Sequence, residues 1–335
     1  MNELPQRGPV RLTSPPAGPA VRHLGGNEGL DLFCALDYTL NHELADDLAA
    51  GRRRPEWMWL ALRQGRPVAR AGWWGHPDDA EPAVLDILDI GDDGDAIEVG
   101  ATMLRTALAR VVPANATPPE YMRFVPPGWR DQASSRRVVE SRMEVARRNG
   151  ARLFVERLRF EWRPGTPIAG PADRLRFRAV GEGAELIDLM TRVLDGTLDV
   201  HSRSALAGTA SPHQVALQHF SDELARYRSP RSWWRVGTLA DGEPVGFVIP
   251  ASNDYGAIIA YIGVVPIYRG NGYVDALLSE GTRILAAEGV PRVRASTDLG
   301  NVPMARSFAR AGWRNFERVI TMTWPRDSEV QRDPG

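Results

Sequence analysis

The residues Arg269-Gly270-Asn271-Gly272, followed by Tyr273 and Val274, have the make-up of an anion site. Two glycines let the backbone take positive φ and keep Cβ atoms out of the way of a bulky anion. The preceding residues, Ala257 to Val265, form an apolar run rich in Ile and Val that reads as a strand buried on both faces. The following ones, Asp275 to Glu288, carry Ala276, Leu277, Ile284 and Leu285 at helical spacing. Strand, glycine turn and helix in that order aim the free N–H groups of the first helical turn, and the positive end of its dipole, into the turn. The chemistry such a place performs is phosphate binding. Each backbone hydrogen bond to a charged oxygen contributes about 1.5–3 kcal/mol, so a few of them hold a pyrophosphate without a lysine.

The elements that position this turn belong to a soluble globular chain of 335 residues, enough for about two domains, with 43% hydrophobic and 25% charged residues. A formal net charge of −1 argues against general affinity for nucleic acid or anionic membrane. Cys34 is the single cysteine, which excludes an internal disulfide and a cysteine-based zinc site. Residues 1–25, with Pro5, Pro9, Pro15, Pro16 and Pro19, read as a flexible lead-in; neither a signal peptide nor a membrane span is visible, and a cytoplasmic protein is expected.

From Asp31 to Ala50, Leu32, Phe33, Leu36, Leu40, Leu44 and Leu48 share a helical face, and Gly51-Arg52-Arg53-Arg54-Pro55 ends the helix. Strands are expected at Trp57 to Leu62, Pro67 to Trp74 and Ala83 to Ile90, then a helix over Ala96 to Val112. A strand at Tyr121 to Val125, a basic helix from Ser135 to Asn149 and a strand from Arg152 to Trp162 follow. The proline- and glycine-rich residues 163–172 form a linker.

The same order then begins again with strand Leu175 to Val180, helix Ala184 to Leu194 and a helix near Gln214 to Arg226. The hairpin recurs at Trp234 to Pro250, where Gly242-Glu243-Pro244-Val245-Gly246 matches Gly65-Arg66-Pro67-Val68-Ala69. Gly150, Phe154, Glu156, Arg157 and Trp162 likewise correspond to Gly312, Phe316, Glu317, Arg318 and Trp324. This is the mark of a duplicated domain. In the first copy the glycine turn is replaced by Gly91-Asp92-Asp93-Gly94-Asp95, whose carboxylates each repel a phosphate charge by roughly 3 kcal/mol at about 6 Å. The first copy is therefore expected to be a degenerate, structural one.

With both features in view, Arg269 to Val274 resembles the acetyl-CoA pyrophosphate loop of the GCN5-related N-acetyltransferase (GNAT) family. Asn301 to Trp313 is similar to that family's helix, which opens on Asn and closes on Gly-aromatic before the last strand. The resemblance covers Leu175 to Trp324 by motif and the first copy by order of elements. It implies an α/β fold with a mixed sheet in two tandem acyl-CoA N-acyltransferase (GNAT-like) domains. The domains are expected at 26–162 and 173–325, with a tail at 326–335.

It further implies acetyl-CoA as co-substrate. Backbone groups of Val264 and Val265 would pair with the pantetheine arm, in a gap between that strand and Arg292 to Thr297. Backbone N–H groups of Arg269, Gly270, Asn271, Gly272, Tyr273 and Val274 would hold the pyrophosphate, and Asn301 would stand beside the pantetheine amide. Val274 stands where the family has Gly or Ala, and Phe308 where it often has a Tyr that protonates the thiolate.

The implied activity is acetyl transfer to a primary amine of a small molecule or peptide, by direct attack from the region between Asp195 and Ser229. The alternative is acyl-CoA binding without turnover, as a sensor or interaction protein. A base is needed because an alkyl ammonium ion, with pKa near 10.4, must lose its proton. Asp298 is the first candidate, with His201 and Asp254 behind it and Tyr261 as the ionisable residue of the cofactor strand. The spacing of His201, His213 and His219 fits no short zinc pattern. One Trp of each pair, Trp73-Trp74 and Trp233-Trp234, is expected in the core and the other partly covered. A monomer of pseudo-dimeric domains or a homodimer is expected.

Overall fold

The computed structural model describes residues 18–25, 29–170, 174–208 and 210–325. Most of the expected flexible lead-in, the tail at 326–335 and residues 171 and 172 of the linker lie outside the described residues. The described residues fall into two compact units that interleave along the sequence: those of Met1–Tyr121 with Glu140–Ala151 and Trp324–Gly335, and those of Met122–Val139 with Arg152–Thr323.

In the first unit, β1 (Ala20–His23), β2 (Met58–Arg63), β3 (Arg66–Trp74) and β4 (Val84–Ile90) pair antiparallel in that order. Gln64 and Gly65, at φ 52° and 78°, make the two-residue turn between β2 and β3 that matches strand twist. Tyr121, the first residue of β5 (Tyr121–Val125), pairs parallel with Leu85. The helix expected over Asp31 to Ala50 is broken into α1 (Leu30–Cys34), a 3-10 turn and α2 (Leu44–Ala49). The break has a local cause: the Asn41 side-chain amide donates to the carbonyls of Cys34 and Leu36, replacing the backbone donors a continuous helix would supply.

Helix α3 (Ala96–Val111) packs close to its strands, because a Cβ on Gly100 would come within 2.5 Å of Ile90 Cγ2. Buried charges inside the unit are paired. Arg53 forks onto Asp86 at 2.7 Å through both terminal nitrogens, and Arg70 holds Asp89.

In the second unit the strand order is β5, β12 (Arg314–Thr323), β6 (Arg152–Trp162), β11 (Val293–Asp298), β10 (Gly256–Val264), β9 (Pro244–Asn253), β8 (Arg235–Thr238) and β7 (Arg176–Ala179). The sheet is mixed: β10 and β11 run parallel, while β6 pairs antiparallel with both β11 and β12. In sequence β6 closes the first copy and β12 the second. In space they have changed places, β6 lying beside β11 of the second copy and β12 beside β5 of the first.

Helices α5 (Gly183–Val193) and α7 (Pro212–Asp222) bury Leu186, Leu189, Met190 and Ala216 against Val236, Phe247 and Ile249; α6 (Val200–Ala207) lies between them in the chain. A separate core joins α8 (Tyr273–Ala287) and α9 (Val302–Arg310) to the sheet through Leu277, Leu285, Phe308, Val293, and Phe160 of the exchanged strand. Helix α4 (Ala133–Arg147) is the basic helix expected from Ser135 to Asn149.

Candidate functional site

Strand β10 was expected to be buried on both faces. Along Ala257–Val265, Ala257, Ile259 and Val265 are buried and the others partly open. The cause is a splay. The register between β10 and β11 ends at Ile258↔Arg294, and β10 carries a bulge against β9 between Ile259 and Tyr261. From there to Val264 the strand keeps β9 on one side only. Val264 and Val265 lie at this open end, and the Val265 N–H is used by the Val245 carbonyl.

The turn that follows has the geometry its glycines suggested. Gly270 and Gly272 stand at φ 78° and 75°, and Gly272 is the N-cap of α8 with no side chain capping the helix. A Cβ at Gly270 would meet nothing within 4 Å. The acidic residue of the first turn, Asp275, is turned to α9, accepting from Ser307 Oγ at 2.6 Å and Arg310 Nη2 at 2.7 Å. Its charge is thereby offset beside a helix N-terminus that attracts anions.

Arg269 does not offer its guanidinium to the turn. It donates to the carbonyls of Val193, Asp195, Gly196 and Val264, tying the turn to the end of α5. Asn271 closes the turn on itself through the carbonyls of Tyr268 and Arg269. A different cation stands beside it: Arg174 lies over the Tyr273 ring at 4.8 Å, with Nη1 3.9 Å from where a Gly272 Cβ would be.

Asn301 caps α9, its Oδ1 accepting from Met304 N–H at 3.3 Å. The Phe308 ring is 1% exposed and stacked on Phe160 at 4.7 Å, which places it in the core. Asp298, 3% exposed at the end of β11, accepts from Val200 N–H at 2.7 Å and faces Arg157 Nε at 3.1 Å. Burial pushes its carboxyl above the usual range, with Asp199 adding to the rise and Val200 N–H and Arg157 opposing it. Asp298 thus anchors the head of α6 to the sheet.

His201, in the first turn of α6, packs edge-on against Phe154 of β6 at 4.9 Å. Tyr261 lies just past the bulge and packs on Phe247. Burial raises its phenol pKa, so it keeps its proton at neutral pH. Asp254 falls at the other end of β10 from the glycine turn, in a hairpin whose Asx residue is Asn253, bonded to Tyr255 N–H at 3.0 Å.

Near Tyr261 the fold gathers groups that sequence reasoning did not assign: His219, packed on its ring, and Asp199 and Glu223, whose charges reach it, with Arg157 beside Asp199 and Tyr227 on Glu223. Asp199 caps α6 through Ser202 N–H at 2.7 Å. Burial pushes its carboxyl up, but Ser202 N–H and Arg157 outweigh that and hold it below the usual range. His219 and Glu223 are four residues apart on one helical turn, a spacing that was legible; their neighbour on β10 was not. Among the described residues no group of His, Cys, Asp and Glu is placed to hold a metal, and no helix is long and apolar enough to cross a membrane.

The second unit is thus a mixed sheet splayed between two parallel strands, with a glycine turn and an uncapped helix N-terminus at the open end. Residues 201–313 match the model of the Acetyltransferase (GNAT) family. The fold is similar to that of a GCN5-related N-acetyltransferase from Sphaerobacter thermophilus: 16% identity, 86% of this chain and 85% of that one, TM-score 0.55. It is also similar to a GCN5-related glucosamine N-acetyltransferase region in a fungal multi-domain GH3 beta-N-acetylglucosaminidase. That match has 14% identity, 92% of this chain, 38% of that one and a TM-score of 0.56.

Proposed function

We propose that the second copy transfers an acetyl group from acetyl-CoA to a primary amine of a small molecule or peptide. The observation that carries this reading is the uncapped N-terminus of α8 behind Gly270 and Gly272, set at the open end of the β10–β11 splay. In it, backbone N–H groups from Arg269 to Val274 hold the pyrophosphate, and the free edge of β10 near Val264 and Val265 pairs with the pantetheine arm. Asn301, fixed by its capping bond, borders that arm. Acetyl-CoA supplies the activated acyl group. The amine approaches from the side of α6 and α7, past Asp298, His201 and Tyr261. Because the Phe308 ring is buried and has no hydroxyl, the departing thiolate takes its proton from water.

The first copy, in this reading, binds no cofactor. Its turn is acidic, with Asp93 and Asp95 held by Arg63 at 2.9 and 2.6 Å, and Arg142 already donates to the Ile90 carbonyl at the end of β4. Calorimetry with acetyl-CoA tests the site: Gly272→Glu, which brings a carboxylate to the turn, abolishes measurable binding, and unchanged affinity overturns the assignment. Thiol release across a panel of amines tests the reaction. Tight binding with no release from any amine would instead identify a protein that binds acyl-CoA without turnover.

A further inference from the structure

Helix α7 presents a histidine that no motif singled out for catalysis. His219 Nε2 lies 3.2 Å from Glu223 Oε2, four residues later, and the Tyr227 hydroxyl donates to the other oxygen, Glu223 Oε1, at 2.7 Å. The His219 ring rests on Tyr261, with centroids 4.8 Å apart and planes inclined at 34°, and Tyr261 is braced edge-on by Phe247 at 5.0 Å. Tyr261 belongs to the part of β10 that has already left β11, so the imidazole borders the splay. Its side chain remains 31% exposed, open to an incoming molecule.

We infer that His219 takes the proton of the incoming ammonium ion and that Glu223 positions it. The assignment rests on the acetyl-transfer reading given above. A carboxylate at Nε2 fixes the proton there and leaves Nδ1 as the basic nitrogen, the arrangement by which carboxylates orient imidazole bases. The ammonium N–H bond breaks, its proton passes to Nδ1, and the imidazolium is stabilised by Glu223. The neutral amine then forms its bond to the thioester carbonyl carbon and the C–S bond breaks with the electron pair leaving on sulfur; the second nitrogen proton passes to water, which delivers a proton to the thiolate, and the imidazolium releases its own proton to solvent.

Other charged and titratable groups bear on the pair: Tyr227 beside Glu223, Tyr261 on β10, Asp199 at the head of α6 and Arg157 on β6. Burial pushes the Glu223 carboxyl up, but the contacts with His219 and Tyr227 and the Arg157 charge outweigh it, so it stays ionised.

Steady-state kinetics of His219→Gln and His219→Asn in the full chain test the inference. The expected result is a fall in kcat of about 100-fold or more with an alkylamine, the range typical of a lost general base, at unchanged acetyl-CoA affinity. With an arylamine, already neutral at neutral pH, the loss shrinks to a few-fold. Equal kcat in variants and wild type, or equal losses with both amines, overturns it.

A second readout does not depend on turnover. Ring 15N shifts of His219 are expected to report the Nε2–H tautomer in the wild type and a mixture in Glu223→Ala, and the same tautomer balance in both overturns the pairing. A wild type that binds acetyl-CoA yet releases no thiol with any amine would defeat the transferase reading, while the tautomer measurement still decides the dyad.

Discussion

Arg157 and Asp298 face each other on neighbouring strands, Nε 3.1 Å from Oδ1, although one comes from the first half of the sequence and the other from the second. The same guanidinium reaches to within 3.8 Å of Asp199. An exchanged strand therefore brings a cation that opposes the burial of two carboxylates at the head of α6.

Replacing that cation has a pH-dependent cost. The Asp298 pKa lies above its unfolded value, so the folded state favours its protonated form. The stability this gives is fully present below about pH 4, near the unfolded carboxyl value, and is lost as pH rises through the folded value. Arg157→Gln raises the folded value further. It is expected to destabilise the protein by about 2–3 kcal/mol at neutral pH and by much less in acid, measured by urea unfolding across the range. A uniform loss at every pH would show that packing, not charge, is what Arg157 contributes.

Two glycines of the second unit are expected to answer differently to alanine. A Cβ at Gly246 would stand 2.2 Å from the Gly263 carbonyl oxygen, a backbone atom that cannot yield without spreading β9 from β10. Gly246→Ala is expected to cost about 3 kcal/mol or more. Gly270→Ala meets open space and costs about 1 kcal/mol for its left-handed backbone alone. Thermal unfolding of the two variants side by side measures the contrast.

Arg269 has its guanidinium on carbonyl groups, so Arg269→Ala is expected to lower stability, by about 2 kcal/mol for these partly exposed charge-assisted bonds. Arg269→Lys, which cannot span the end of α5, is expected to recover little of it. Unfolding midpoints of the two variants test this.

Arg174 makes no ion pair with a carboxylate among the described residues, and it stands beside Gly272. In the acetyl-CoA reading, Arg174→Ala raises the dissociation constant about tenfold, the equivalent of about 1.4 kcal/mol, and flattens its dependence on salt. Titration calorimetry at low and high salt checks both.

Features carried by local chemistry were legible in the sequence. The matching Gly65 and Gly242 hairpins are both formed, and strand, glycine turn and helix follow one another at Gly270 and Gly272 as the spacing implied. The Trp pairs divided as their alternation implies: Trp73 and Trp234 are buried, Trp74 and Trp233 partly covered. Features carried by pairing between distant residues were not. Nothing in Arg152–Trp162 states which strands will flank it, because a strand's alternation fixes its faces and not its neighbours. His219 and Glu223 could be read as a helical pair, but not the Tyr261 ring that packs against His219 just past the bulge of β10. The break after Cys34 depended on where the Asn41 amide would turn.

The exchanged strands also bear on the order of synthesis. On the ribosome β6 emerges well before β11 and β12, the two strands that flank it. Until residues 293–323 follow, both of its edges lack their native partners, and Phe160 and Trp162 have no core to enter. Completion of the sheet that holds the Gly270–Gly272 turn must therefore wait for residues 293–323. A chain stopped short of β11 is expected to be an aggregating one, and folding to be limited by long-range strand pairing rather than by its hairpins.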